Sequence, residues 1–216
     1  MRSDVLAAVA DLVPSREGFV RVGVDGVNGS GKTTFADALA TVLEERGRSV
    51  VRIREDDFLN PRVIRYRLGR ASPEGYLADS YDLVRLRTDV LDPLGPSGDG
   101  RFREGSLDLA TDTALDPPWR VAAPGSVLVL DGMFLHRDEL AGVWDVSVLL
   151  DVAFVETCRR MAVRDGSEPD PEHPSMRRYV EGQRLYLARC TPRDRATVVV
   201  DNTDVERPRI LRQPTR

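Results

Sequence analysis

At residues 26–33 the chain reads Gly26-Val27-Asn28-Gly29-Ser30-Gly31-Lys32-Thr33, which fits the pattern G-x-x-x-x-G-K-[ST] of a phosphate-binding loop without a mismatch. The preceding residues, Phe19 to Val24, are rich in β-branched side chains, as in a strand. The following residues, Thr34 to Arg46, place apolar side chains at helical spacing and stop at Gly47. Strand, glycine loop and helix is the order in which backbone N–H groups and a helix N-terminus converge on an anion. The stretch therefore predicts a loop that binds the phosphates of a nucleotide.

Lys32 is the single lysine of the chain, because all the other residues among the 31 Lys and Arg are arginine. A compact ammonium can reach between the β- and γ-phosphates, whereas a planar guanidinium is too broad for a loop that closes around them. A glycine-rich turn that binds nothing is the alternative, and the complete motif with its flanking strand and helix argues against it. We expect these residues to contact the nucleotide: Gly26, Asn28, Gly29, Ser30, Gly31, Lys32, Thr33 and Thr34.

Length and composition favour one α/β domain over residues 1–216, of which 41% are hydrophobic. The apolar runs are too short for a membrane span, and the first residues lack the basic-then-apolar order of a secretory signal. We therefore expect a cytoplasmic protein with no membrane partner. A net charge of −4 argues against a nucleic-acid partner. Cys158 and Cys190 are too few for a disulfide framework, which predicts reduced thiols on or beside helices.

The remaining strands and helices alternate along the chain. Ser49 to Arg54 predicts a second strand, and Ser126 to Gly132 is a continuous apolar run ending in an acid, typical of a buried parallel strand. Two further strands are predicted at Val146 to Leu150 and at Ala196 to Val200. This alternation predicts a doubly wound sheet of about five parallel strands with helices on both faces. Together with the phosphate-binding motif at residues 26–33, it predicts the fold class of P-loop NTPases.

Acidic residues stand at the carboxyl ends of two predicted strands, where ligands of open parallel sheets lie. Asp131, together with the hydroxyl of Thr33, would hold Mg²⁺. Phosphoryl transfer needs charge neutralisation and positioning, and a carboxylate can accept the proton of an attacking hydroxyl, so Asp56 is the candidate base. Asp57 would point to the opposite side if the strand geometry persists. The alternative for either of the two neighbouring acids is a cap of the following turn.

Two irregular segments accompany this predicted site. Residues 92–125 are broken by proline and glycine, which restricts regular structure to short hairpin pieces, and either a substrate flap or a disordered surface loop fits such an insert. Residues 165–174 form a polar loop between two predicted helices, the arrangement of a lid. Arg160 and Arg164 are four residues apart and share the helix face that enters this loop.

On these motifs the sequence resembles the uridine kinase and phosphoribulokinase group of P-loop kinases, including bacterial-type pantothenate kinase and actinobacterial uridine kinase-like proteins. The resemblance rests on Gly26 to Thr34, Asp56-Asp57-Phe58, Val129 to Gly132, Arg160 and Arg164-Asp165. It implies phosphorylation of a hydroxyl of a small molecule by ATP or GTP with Mg²⁺. It also implies that Asp56 is the base, that Asp131 is the acid of the metal site, and that Arg160 and Arg164 contact the transferred phosphate.

The departures from the family pattern fall on the acceptor side. The Asp-His-Pro segment of uridine kinases is replaced here by Gly75 to Asp82, and their Tyr-Asp-Phe by Leu107-Asp108-Leu109. A nucleoside or similar metabolite is the expected acceptor, and pantothenate- or sugar-type acceptors stay open. Candidate acceptor residues are Asp57, Tyr66, Tyr81, Asp82, His136 and Arg178. For each aromatic residue among them a core position is the favoured alternative, and for the histidine a surface position.

Other nucleotide-binding classes are less consistent with the sequence. A GTPase switch needs an Asn-Lys-x-Asp motif and a partitioning ATPase needs a second lysine, so neither can be built with Lys32 alone. A catalytically silent nucleotide-binding regulator stays open, because the acceptor pocket has no recognised motif. A homo-oligomer is compatible with the sequence.

Overall fold

The computed structural model describes residues 2–214, and most of its strands belong to one central sheet. In chain order the strands are β1 (Val20–Gly26), β2 (Val50–Arg54), β3 (Arg101–Phe102), β4 (Leu107–Asp108), β5 (Thr113–Ala114), β6 (Arg120–Val121), β7 (Val127–Gly132), β8 (Val146–Asp151), β9 (Val198–Asp201) and β10 (Arg209–Arg212). Within the described residues the central sheet has six strands in the order β10-β9-β8-β1-β7-β2. Five of them are parallel and β10 pairs antiparallel with β9. The expectation of about five parallel strands is confirmed.

Helices cover both faces of this sheet. They are α1 (Arg2–Leu12), α2 (Lys32–Glu45), α3 (Arg62–Arg65), α4 (Pro73–Asp79), α5 (Leu83–Leu86), α6 (Phe154–Asp165), α7 (Arg177–Cys190) and α8 (Pro192–Arg195). A π-helical turn over Arg87–Leu91 continues α5. Cys158 and Cys190 are free, buried thiols on α6 and α7, as expected. Between residues 2 and 214, no helix combines the length and apolar character needed to cross a membrane.

The sheet packs one hydrophobic core on each face because alternate residues of a strand point to opposite sides. On one face, Val20, Val22 and Val24 of β1 pack in a cluster with buried residues of α1 and α2. On the other face, buried residues of β2 and β7 pack against α5 and its π-helical extension. Gly23 of β1 faces the indole of Trp144, and an added Cβ would lie 2.8 Å from that ring.

The insert over residues 92–125 is ordered and packed. Strand β3 pairs with β6, and β4 pairs with β5, each as a two-residue antiparallel ladder. Phe102 and Ala122 are buried in the second core, and the N–H of Ser106 donates to the carbonyl of Asp57 at 2.9 Å. The structure describes this segment as ordered, with short antiparallel strand pairs.

Helices α4, α6 and α7 wall the carboxyl ends of the strands. Tyr76 and Leu77 of α4 pack with Tyr186 of α7, and Met161 of α6 packs with Val180 of α7. The predicted polar loop, residues 165–174, joins α6 to the turn that precedes α7. These helices therefore frame the edge of the sheet at which the phosphate loop begins.

Candidate active site

The phosphate loop joins β1 to α2 with backbone conformations that require glycine. Gly29 and Gly31 have φ values of 74° and 92°, in the left-handed region that side chains with a Cβ disfavour. A Cβ on Gly31 would also lie 2.8 Å from Nδ2 of Asn202. Within the loop, the N–H of Ser30 donates to the carbonyl of Val27 at 3.1 Å. The loop therefore leads into the N-terminus of α2 in the geometry that suits an anion.

Three side chains from distant parts of the chain hold this loop in place. The amide of Asn202 donates to the carbonyl of Ser30 at 2.8 Å, and Gln183 Oε1 accepts the N–H of Asn28 at 2.5 Å. Arg160 donates to the carbonyl of Gly29 at 3.3 Å. The sequence analysis assigned no contact to Gln183 or Asn202, because their proximity to the loop follows only from the fold.

Lys32 lies among acidic side chains. Its Nζ donates to the carbonyl of Val27 at 3.1 Å. Burial lowers the pKa of Lys32, and the surrounding carboxylates, chiefly Asp56 and Asp25, oppose that shift. A partly desolvated ammonium is electrostatically stronger toward phosphate than one in bulk water.

Thr33 and Asp131 meet as the sequence predicts. The Thr33 hydroxyl donates to Asp131 Oδ2 at 2.7 Å, and Arg52 donates to Asp131 Oδ1 at 2.5 Å. Within residues 2–214, no group of three or more His, Cys, Asp and Glu side chains is placed to hold a metal ion. A hydroxyl beside one carboxylate oxygen fits Mg²⁺, which binds few protein ligands and keeps water and substrate phosphate oxygens. Arg52 orients the carboxylate and occupies its other oxygen.

Asp56 lies on a 3₁₀ turn instead of a continued strand. β2 ends at Arg54, and Glu55–Phe58 forms the turn, so helical spacing and not strand alternation separates Asp56 from Asp57. Asp56 Oδ1 accepts a hydrogen bond from the Tyr81 hydroxyl at 2.9 Å. Burial, followed by the neighbouring Asp56 carboxylate, raises the pKa of Tyr81, so the phenol stays a protonated donor. The candidate base is thus exposed to ligand and held by one fixed partner.

Two buried acids beneath the loop were missed by the sequence analysis. Glu55 is fully buried against Gly132, and burial, followed by Asp56 and Asp25, raises its pKa well above the usual value. Asp25 accepts hydrogen bonds from the Tyr186 hydroxyl and, at 2.6 Å, from Nδ1 of His136. No motif in the sequence marks either acid.

A cavity of about 360 Å³ adjoins the phosphate loop and contains several of the predicted acceptor residues. Its predicted members are Asn28, Asp56, Tyr66, Tyr81, Arg164 and Arg178. Its walls also include residues that the sequence analysis did not select: Leu59, Arg65, Tyr76, Ser80, Leu109, Met133, Met161, Asp165, Ser167, Met176 and Tyr179. Tyr76 links the cavity to the loop, because its hydroxyl accepts from Asn28 Nδ2 at 2.9 Å. We call this space the acceptor cavity.

Three predicted acceptor residues lie outside the acceptor cavity. Asp82 caps α5, with Oδ1 accepting the N–H of Arg85 at 2.9 Å. His136 is buried between Asp25 and Ser147, so it lies neither at the surface nor in the cavity. Asp57 packs against Gly105 of the insert. The side chains of Asp82 and His136 therefore serve other contacts, whereas the Asp57 side chain is exposed outside the cavity.

The two predicted lid arginines have different surroundings. Arg160 donates to Glu156 and to the carbonyls of Gly29, Asn202 and Thr203. Arg164 is exposed, pairs with the adjacent Asp165 at 2.7 Å and lines the acceptor cavity. Arg160 therefore holds the phosphate loop, whereas Arg164 remains in reach of a ligand.

Several solved structures are similar to this chain in fold. A protein of Bacillus stearothermophilus proposed to be a uridine kinase superposes with a TM-score of 0.69 at 25% identity, over 91% of this chain and 97% of that one. The chain shares the fold of this uridine kinase-like P-loop protein, and the likeness supports a P-loop small-molecule kinase. The family resemblance read from the sequence is thereby confirmed.

Two further kinases share the fold at lower sequence identity. A Silicibacter sp. TM1040 protein proposed to be a fructose transport system kinase has a TM-score of 0.66 at 21% identity over 87% of this chain and 94% of that one. The D-glycerate 3-kinase of Cryptococcus neoformans var. grubii has a TM-score of 0.60 at 15% identity over 100% and 99% of the two chains. No family model matches the sequence, and no curated protein matches it significantly.

Proposed function

We propose that this P-loop kinase transfers the γ-phosphate of ATP to a hydroxyl of a small molecule bound in the acceptor cavity. The observation that carries the proposal is that Asn28 of the phosphate loop and Asp56 line the same cavity. An acceptor there lies beside both the donor's phosphates and a carboxylate that can take its proton. GTP is a second candidate donor, because the phosphate loop binds phosphates and not the base.

Each side chain of the site has a role in this reaction that its geometry supports. The loop N–H groups, the N-terminus of α2 and Lys32 bind the β- and γ-phosphates. Asp56, fixed by the Tyr81 hydroxyl, accepts the proton from the attacking acceptor hydroxyl. Thr33 and Asp131 would hold Mg²⁺, which when bound neutralises charge on the phosphates. Arg164 lines the cavity, and its proposed role is to contact the transferred phosphate.

The acceptor is proposed as a small metabolite with a free hydroxyl, a nucleoside being the expectation from the family. The similar structures include proteins named for uridine, fructose and D-glycerate, so the shared fold accommodates acceptors of different chemistry. A pantothenate- or sugar-type acceptor is the alternative. A silent nucleotide-binding regulator would bind nucleotide without using Asp56.

ADP formation tests this proposal directly. Purified protein is incubated with ATP and Mg²⁺, with and without a panel of nucleosides, sugars, sugar phosphates and hydroxy acids. A kinase releases ADP in proportion to one acceptor and yields its phosphate ester by mass spectrometry. Nucleotide binding with no acceptor-dependent ADP from any member of the panel would favour the silent regulator.

A further inference from the structure

The acceptor cavity carries more positive than negative side chains. Its lining includes three arginines, Arg65, Arg164 and Arg178, against two carboxylates, Asp56 and Asp165. Asp165 is already paired with the neighbouring Arg164 at 2.7 Å. An excess of guanidinium groups in a confined space attracts an anion, and the field is stronger there than at an open surface.

Arg178 is committed to the protein backbone. It is buried, and its guanidinium donates to the carbonyls of Arg65, Gly69, Arg70 and Ser72 at 3.1–3.4 Å. Its role is to hold the segment between α3 and α4 against α7. Tyr66 opens this segment and Arg65 ends α3, so Arg178 fixes this wall of the cavity.

Of the three arginines that line the cavity, Arg65 has the least close polar contacts with protein groups. Only 12% of its side chain is exposed, yet its Nε has no hydrogen-bond partner among the described residues. Its nearest carboxylate oxygen, on Asp112, lies 3.5 Å from NH2 and forms an ion pair without a close hydrogen bond. The guanidinium stacks near the ring of Tyr66, 5.5 Å from its centroid. A buried guanidinium with an unpaired donor is costly unless a ligand completes its contacts.

We infer that the acceptor carries an anionic group, a carboxylate or a phosphate, which Arg65 binds while the acceptor hydroxyl lies at Asp56. The inference rests on the proposed kinase function and narrows its substrate class. Arg65 lines the cavity, and a guanidinium can bind a carboxylate or phosphate with charge-assisted hydrogen bonds. The cavity volume of about 360 Å³ is at the small end of ligand pockets, which suits a short hydroxy acid or a sugar phosphate. Neutral nucleosides lack the group that Arg65 requires.

Matched acceptor pairs test the charge requirement. The wild-type protein is assayed for ADP formation with glycerate against glycerol, pantothenate against pantothenol, and ribose 5-phosphate against ribose. We expect kcat/KM for at least one anionic member to exceed that of its neutral partner by roughly 10- to 100-fold, the range expected for a hydrogen bond to a charged group. Uridine and UMP form a fourth pair and compare a neutral nucleoside with its phosphorylated form.

Substitutions at Arg65 separate a binding role from a structural one. Arg65→Gln should raise KM for the anionic acceptor about 10- to 100-fold, with a smaller change in kcat. Arg65→Lys, which keeps the charge and loses the guanidinium, should recover part of the loss. Arg62→Gln is the matched control, because Arg62 lies on the same helix, contacts the same Asp112 and is half exposed outside the cavity.

The outcomes of the two proposals are distinguishable. Preference for neutral members, or equal use of both, would overturn the anionic class and keep the kinase. If no pair supports turnover, titration calorimetry measures binding of the same anions in the presence of ADP. If the wild-type protein binds an anion and Arg65→Gln does not, the anion-binding inference is supported without the kinase function. Absence of both turnover and anion binding would overturn both proposals.

Discussion

Lys32 occupies a position where its single ammonium meets several carboxylates at once. Its environment includes Asp25, Glu55, Asp56 and Asp131, which all raise its pKa against the lowering effect of burial. The site therefore keeps Lys32 as a positively charged ammonium, whose charge the phosphates of the nucleotide neutralise on binding. The Nζ of Lys32 lies 3.1 Å from the carbonyl oxygen of Val27. The bulkier guanidinium of an arginine would need more space than the loop provides there.

We therefore predict that both Lys32→Ala and Lys32→Arg remove acceptor-dependent turnover. Loss of the phosphate contact should lower kcat/KM by about 10²- to 10³-fold, as for other preorganised charge contacts. Steady-state assays of ADP formation measure the effect, with circular dichroism to verify folding. Activity of Lys32→Arg near the wild-type level would contradict the requirement for an ammonium.

The residues that the sequence could predict are those whose role lies in local spacing. The motif alone places Lys32 and Thr33, and the strand ends place Asp56 and Asp131. Gln183 and Asn202 could not be found in this way, because they contact the loop from 155 and 172 residues further along the chain. Local sequence carries no signal for pairs that only the assembled sheet brings together.

At the scale of elements, the loop over residues 165–174 has the features of a segment that moves. Most of its residues are exposed, and contacts such as those from Asp165 to Arg164 and Ser167 are local. It borders the acceptor cavity through Asp165 and Ser167. Segments with few buried apolar contacts open at low free-energy cost.

We predict that this loop closes over bound substrates. Amide hydrogen exchange in residues 165–174 should slow when ATP, Mg²⁺ and an acceptor are present together, and less with nucleotide alone. Exchange in α1, on the opposite face of the sheet from α5, serves as the internal control. Equal exchange rates in this loop with and without ligands would exclude a closing lid.

The contact between β7 and the turn after β2 leaves no space for a side chain. A Cβ on Gly132 would lie 2.4 Å from Glu55 Oε2 and 2.6 Å from Glu55 Cβ. The sequence predicted the hairpin insert from its prolines and glycines, and β7 from its apolar run. Neither pattern predicts this close approach, because it depends on the pairing register between β2 and β7. Arg54 pairs with Asp131 in the sheet, so the residues that follow them, Glu55 and Gly132, lie side by side.

Gly132→Ala should therefore destabilise the fold by about 1–3 kcal/mol, the usual cost of overpacking. Urea denaturation of wild type and variant gives the difference in free energy of unfolding. In a double-mutant cycle, Glu55→Ala should relieve part of the cost of Gly132→Ala, because it removes most of the clashing atoms. Strictly additive effects would show that the clash is not the cause.

At the scale of the molecule, the order of strands and helices was largely predictable. The parallel strands follow from apolar runs that end in polar residues, and the alternation with helices follows from periodicity. β10 was not predicted, since its four residues, Arg209–Arg212, carry two arginines and have no buried member. Edge strands are short and polar because one side has no partner, which weakens their pattern in the sequence.

The buried acid Glu55 makes the stability of the whole molecule dependent on pH. Its folded-state pKa is raised above the unfolded value near 4.5. Below that pH both states are protonated; as pH rises above it, the unfolded chain releases a proton that the folded chain keeps. The free energy of unfolding therefore falls with rising pH, by up to about 1.4 kcal/mol per unit of pKa difference.

We predict that the free energy of unfolding of Glu55→Gln increases relative to that of the wild type as pH rises from 5 to 8. Urea titrations at several pH values measure this difference. Glu45→Gln, at the exposed end of α2, is the control and should show no such trend. A pH-independent difference for Glu55→Gln would mean that Glu55 is ionised in the folded protein.

The central claim, that Asp56 accepts the proton of the acceptor hydroxyl, is tested most directly by Asp56→Asn. Asparagine keeps the shape and can still accept from the Tyr81 hydroxyl but cannot take the proton. We predict a fall in kcat of about 10²- to 10⁴-fold with the Kd for ATP changed less than threefold, while Asp57→Asn, outside the acceptor cavity, changes kcat far less. A kcat for Asp56→Asn close to the wild-type value would contradict the assignment.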